Sequence, residues 1–115
     1  MIQTVRAVQH CIHSGVFHSD INAKNILINR TLELKLIDFG CGQLFSSEGY
    51  NWHTYRGFME YCPPEVHTEP RFHAVPANVW CLGMLLYELS NACLPFDNDT
   101  EIIQAEVTFQ NPNLS

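Results

Sequence analysis

Residues 18–40 read HSDINAKNILINRTLELKLIDFG, and the rest of the chain is organised around them. Two polar segments stand out, HSDINAKN at 18–25 and DFG at 38–40. Between them, residues 25–29 (NILIN) and 33–38 (ELKLID) are short β-rich runs joined by a polar turn at Asn29, Arg30 and Thr31. That pattern predicts a hairpin. A hairpin brings its outer ends together, so Asp20, Asn25 and Asp38 are expected to converge. Two carboxylates and a side-chain amide are hard oxygen ligands suited to Mg²⁺, an ion that usually shares its shell with phosphates. Each segment alone reads as an ordinary loop cap or turn; order and spacing together carry the chemistry.

An Asp, four residues and an Asn, then Asp-Phe-Gly after a following strand, resembles a protein-kinase catalytic core. The resemblance implies that Asp20 is the base taking the substrate hydroxyl proton and that Asn25 and Asp38 are Mg²⁺ ligands. It also implies that Leu27 and Ile37 floor the adenine pocket, making Leu27, Ile37, Asn25 and Asp38 the nucleotide-binding set. ATP and Mg²⁺ are the implied cofactors, and a protein or peptide the implied substrate.

The 115 residues suffice for one small domain of ordinary globular composition, without repeats or low-complexity stretches. Twelve acidic against six basic side chains give a formal charge of −6, which argues against nucleic acid or an anionic membrane as partner. A basic peptide is compatible with that charge. Cys11, Cys41, Cys62, Cys81 and Cys93 are odd in number and irregularly spaced, so a reducing compartment, cytoplasmic or nuclear, is expected. The opening MIQTVRAVQH lacks the apolar centre of a signal peptide. The longest apolar run, residues 79–87, is too short to span a bilayer.

Along the chain, Met1, Val5, Val8 and Ile12 predict an amphipathic helix over 2–13, stopped by Ser14 and Gly15. His10 and His13 lie three apart on it, and exposed histidines are the reading adopted over a zinc pair. Val16 and Phe17 form a short strand. Residues 41–57 turn polar and irregular, and Pro63-Pro64 make a rigid corner. Residues 78–90 (NVWCLGMLLYELS) are apolar nearly all round and predict a helix inside the domain. A last helix is expected from the Asn98/Glu101 capping pair to about Val107, before a frayed tail at 109–115.

The stretches ELKLIDFG, YCPPEV, VWCLGMLLYELS and LPFDNDTEIIQAEV look like the Pim serine/threonine kinases, and the likeness covers residues 2–108. It implies an α+β fold, a mostly helical protein-kinase large-lobe fragment with a catalytic-loop β-hairpin. In that picture residues 41–57 are the activation segment, and Pro63-Pro64-Glu65 stands for the family's Ala-Pro-Glu. The family's Gly-rich phosphate loop, strand lysine, helix glutamate and hinge have no counterparts in this sequence, nor do the C-terminal helices with the arginine that pairs with the Glu65 position. Four further departures surround Asp20. Ser19 replaces the Arg of His-Arg-Asp, and Asn22 replaces the lysine that neutralises the transferring phosphate. Lys24 stands where Pim relatives carry an acidic residue, and Phe58 replaces a threonine whose hydroxyl contacts the base.

Three readings stay open on the sequence. One is a Pim-type serine/threonine kinase, an ATP-dependent transferase. The second is a truncated pseudokinase that serves as a protein-binding module. The third is a fragment with no function of its own. The chain alone is expected to be inactive, with a missing lobe or another protein covering exposed apolar surface.

Overall fold

A computed structural model describes residues 1–105 and begins with α1, Ile2–His13. Its buried face is centred on Thr4 and Val8, while Met1 is exposed at the N-cap, so the expected stripe is rotated off Met1. Gly15, at a φ of 83°, lets the chain reverse into β1, Val16–Phe17. The expected hairpin is present as β2, Ile26–Ile28, and β3, Leu34–Leu36, antiparallel with Leu27 opposite Lys35. Its turn is held by Asn29, whose Oδ1 accepts from the Thr31 N–H, the Thr31 hydroxyl and the Glu33 N–H.

The stretch at 41–57 is more ordered than its composition suggests. It contains β4, Gln43–Leu44, which pairs with β1, and β5, Tyr50–Asn51. After α2, Pro64–Thr68, comes β6, Arg71–Phe72, which pairs with β5. Both pairings are long-range, so no local periodicity announces them. Pro64 occupies the first helical position of α2, where its missing N–H costs nothing.

The central helix α3 spans Ala74–Asn91, four residues earlier at its start than expected. Pro76 lies in its first turn, where backbone N–H groups have no intrahelical partner, so it does not stop the helix. Met84 and Leu85 are buried, but Val75, Val79, Leu86 and Leu89 are exposed along one side. The expectation of a helix buried all round is therefore corrected to one buried on a single face. The last helix α4, Asp99–Gln104, is capped as expected, with the Glu101 N–H donating to Asn98 Oδ1 at 3.0 Å. It ends at Ala105, in left-handed geometry, before the expected stop. Val107 and the tail at 109–115 lie outside the described residues.

Two apolar clusters meet at α3. One joins Val8, Ile21, Tyr61, Leu85, Phe96 and Ile102, and ties α1, the loop before β2 and α4 together. The other joins Phe17, Tyr50, Cys62, Val66 and Phe72 and fastens the 41–57 stretch and α2 to β1. The rings of Phe17, Tyr50 and Phe72 pack in tilted pairs with centroids 5.1 to 6.2 Å apart. No described helix is long and apolar enough to cross a membrane.

Candidate active site

The loop between β1 and β2 carries the acidic residue on which the site is built. Ser19 there takes a φ of 66°, a left-handed turn that places Asp20 next to Asn25. Asn25 Nδ2 donates to the Asp20 carbonyl at 2.8 Å and to Asp20 Oδ2 at 3.1 Å. Both partners only accept, so the Asn25 amide nitrogen must face them and its oxygen is the atom left for a cation. Asp38 is brought in from the other end of the hairpin, because the Ile37 N–H donates to the Asn25 carbonyl at 2.8 Å. Asp38 is exposed and left-handed at a φ of 60°, and its Oδ1 accepts from the Gly40 N–H at 3.1 Å. Of the expected convergence, the loop thus brings Asp20 and Asn25 into contact, and the hairpin sets the backbone of Asp38 one residue beyond the Ile37–Asn25 hydrogen bond.

His18 stitches the two sides. It is 1% exposed; its Nδ1 accepts from the Asp20 N–H at 3.1 Å and its Nε2–H donates to the Ile37 carbonyl at 2.8 Å. A peptide N–H on one nitrogen and a carbonyl on the other fix a neutral ring with the proton on Nε2. The Phe39 ring makes a T-shaped contact with it, the ring centroids 4.5 Å apart. Ser19 adds a second stitch, its hydroxyl donating to the Cys41 carbonyl. The Cys41 thiol is pushed up from its ordinary range by burial first, and then by the nearby Asp20 and Asp38 carboxylates.

Leu27 is 54% exposed and Ile37 half-buried, so the expected floor lies open on one side of the hairpin. Asn22 is buried, and its Nδ2 donates to Asp20 Oδ1 at 2.9 Å. Lys24 is exposed with its ammonium 5.3 Å from the Phe58 ring centroid. The Phe58 N–H donates to Asp20 Oδ1 at 2.9 Å, a contact that sequence reasoning missed. It comes from the main chain and leaves no side-chain signature; the only hint is Gly57 before it. A Cβ at Gly57 would collide with the Ser19 carbonyl, so only glycine allows this close approach.

The donor set fits a hard divalent cation: a free amide oxygen at Asn25 and an exposed carboxylate at Asp38, on backbones joined through Ile37. No cluster of three His, Cys, Asp or Glu side chains suited to a metal occurs among the described residues, so this donor set relies on the Asn25 amide, and His10 and His13 are exposed. The Glu65 carboxylate has no basic partner among the described residues, and His67 Nε2 lies 3.7 Å from Asp99 Oδ1.

The family model described as Protein kinase domain matches residues 1–113. The chain belongs to the protein kinase domain family. Among its relatives, serine/threonine-protein kinase pim-2 of Danio rerio is 40% identical over 108 residues, covering 93% of this chain and 34% of that protein. The serine/threonine-protein kinase SIK3 homolog of Danio rerio is 36% identical over 98 residues, 85% of this chain and 8% of that protein. CBL-interacting serine/threonine-protein kinase 17 of Arabidopsis thaliana is 32% identical over 99 residues, 84% of this chain and 23% of that protein. The chain spans about a third or less of the length of these protein kinases. Protein kinases in general use ATP with Mg²⁺ and act on protein substrates.

Proposed function

We propose that this chain is the large-lobe core of a Pim-type serine/threonine protein kinase, and that as a 115-residue chain it keeps the metal-facing layout without turning over substrate. The observation that carries the reading is the Asp20–Asn25 pairing closed against Ile37, because it sets a base-type carboxylate beside two oxygen ligands. Asp20 holds the base position, facing the hydroxyl of a serine or threonine side chain in a protein. Asn25 Oδ1 and the Asp38 carboxylate would hold Mg²⁺, and Leu27 and Ile37 would contribute apolar surface to the nucleotide. Bound Mg·ATP supplies the γ-phosphoryl group and the charge neutralisation that its transfer needs. The chain's own contribution is to orient Asp20 through His18 and to fix the two metal-facing residues.

Turnover is disfavoured by residues inside the site. Asn22 offers an amide where a cation would stabilise the transferring phosphoryl, a step governed by preorganised charge. The open face at Leu27 buries little of an adenine ring, and a site that buries little of its ligand gains little affinity. The likeness to the Pim branch over residues 2–108 supports the assignment within serine/threonine kinases. A cytoplasmic or nuclear setting and a protein partner over the exposed side of α3 belong to the same reading.

Mn²⁺ titration of the ¹⁵N-labelled chain tests it. Expected is selective paramagnetic broadening at Asn25 and Asp38, abolished by Asp38→Ala, and no melting shift above about 1 °C with millimolar Mg·ATP. Uniform broadening, or none at these two residues, would sink the metal assignment. A clear Mg·ATP shift that vanished with Asp38→Ala would overturn the inactive reading.

A further inference from the structure

The Asp20 carboxylate is more heavily engaged than a waiting proton acceptor needs to be. Asn22, Asn25 and Phe58 each direct a donor at it: Asn22 Nδ2 at 2.9 Å and the Phe58 N–H at 2.9 Å on Oδ1, and Asn25 Nδ2 at 3.1 Å on Oδ2. An ionised carboxylate has about four acceptor sites, so most are in use. Asn22 stands apart from the other two because its amide works at both ends. Its Nδ2 also reaches the Asp20 carbonyl at 3.2 Å, and its Oδ1 accepts from the Lys24 N–H at 2.9 Å, capping the short 3-10 turn at Ala23–Asn25. Those partners fix the amide's orientation, and only 5% of the residue is exposed.

We infer that Asn22 is a positioning residue, a latch that pins the Asp20 carboxylate as an acceptor for Phe58. The inference rests on the reading of Asp20 as the base position. Phe58 lies 38 residues along the chain, so the latched carboxylate ties residues 57–58 to the catalytic loop. A hydroxyl approaching Asp20 Oδ1 must displace the Asn22 donor before it can give up its proton. Asn22 thus stands where a cation is lacking and also occupies one of the acceptor sites of Asp20.

The two ends of the Asn22 amide separate by substitution. Asn22→Asp keeps an oxygen to cap the Lys24 N–H but sets a second carboxylate against Asp20. Asn22→Ala loses both ends. The readout is backbone amide hydrogen exchange of the full chain by NMR, without nucleotide or metal. Asn22→Asp is expected to speed exchange at Phe58 at least ~10-fold while Lys24 stays within about twofold of the parent, since the donor to Asp20 is replaced by a like charge while the cap is kept. Asn22→Ala is expected to speed Lys24 as well. Unchanged Phe58 exchange in Asn22→Asp overturns the latch, and so does a uniform rise across the core, which a merely structural role would give. Should Asn22→Asp fail to fold, Asn22→Ser keeps a capping oxygen too short to reach Asp20. It must then show faster Phe58 with protected Lys24, and equal acceleration of the two overturns the idea. Loss of the Mn²⁺ response at Asn25 and Asp38 would strike the metal assignment and leave these rates untouched, so the two failures are distinguishable.

Discussion

At the scale of single residues, backbone approach decides as much as side-chain chemistry. Gly57 passes so close to Ser19 that an added Cβ would strike the Ser19 carbonyl and come within 2.6 Å of the Tyr55 hydroxyl. Gly57→Ala therefore forces the 55–58 stretch off Asp20 and is expected to cost about 1–3 kcal/mol, the usual range for overpacking. A urea midpoint for Gly57→Ala equal to the parent's would show that the segment yields without strain. Asp20, Asn25 and Asp38 could be proposed from the sequence because their chemistry is in their side chains and their order is distinctive. The Phe58 N–H, the His18 bridge and the Ser19 contact to Cys41 were not. A main-chain donor has no residue code, and a histidine or serine gives no sign of its partner until the loop is folded.

At the scale of elements, the hairpin and α1 were readable because their signals are local. β2 is a short apolar run and β3 alternates, on either side of a turn closed locally by Asn29 and Thr31, and α1 repeats its apolar residues every turn. The strands β4, β5 and β6 were invisible for the opposite reason, as each has two residues and finds its partner far along the chain. Arg71 shows how such a pairing is reinforced: its guanidinium donates to the Glu48 and Gly49 carbonyls and to Asn51 Oδ1. The end of α3 offers a test of local geometry. Ala92 sits there at a φ of 57°, with its N–H donating to the Glu88 carbonyl, a left-handed cap that favours glycine. Ala92→Gly removes a Cβ penalty of about 1–2 kcal/mol, partly offset by the looser unfolded chain, so a gain of about 0.5–1 kcal/mol is expected. Calorimetry showing a lower melting temperature for Ala92→Gly would contradict this.

At the scale of the whole molecule, the side of α3 bearing Val75, Val79, Leu86 and Leu89 leaves apolar area in water, each residue more than half exposed. Surfaces of that kind promote association. The purified chain is expected to sediment with a concentration-dependent mass, and Val79→Glu with Leu86→Glu to restore a monomer; a parent that stays monomeric at high concentration refutes it. A second test uses the thiols in the core. Burial pushes Cys62 and Cys81 up to about 12 from the ordinary 9.0, so the folded state favours their protonated form. That contribution is complete below pH 9 and is lost as pH climbs towards 12, so denaturant midpoints should fall across that window. A flat profile there counts against the buried thiols, and exposed Cys93 is expected to react first with a thiol reagent at pH 8. Finally, the imidazole of His18 spans the backbone ahead of Asp20 and the backbone ahead of Asp38. It acts as a pivot pin between two levers: neither arm can swing without dragging the other, so opening and closing of this centre has one degree of freedom where its two loops would otherwise have two.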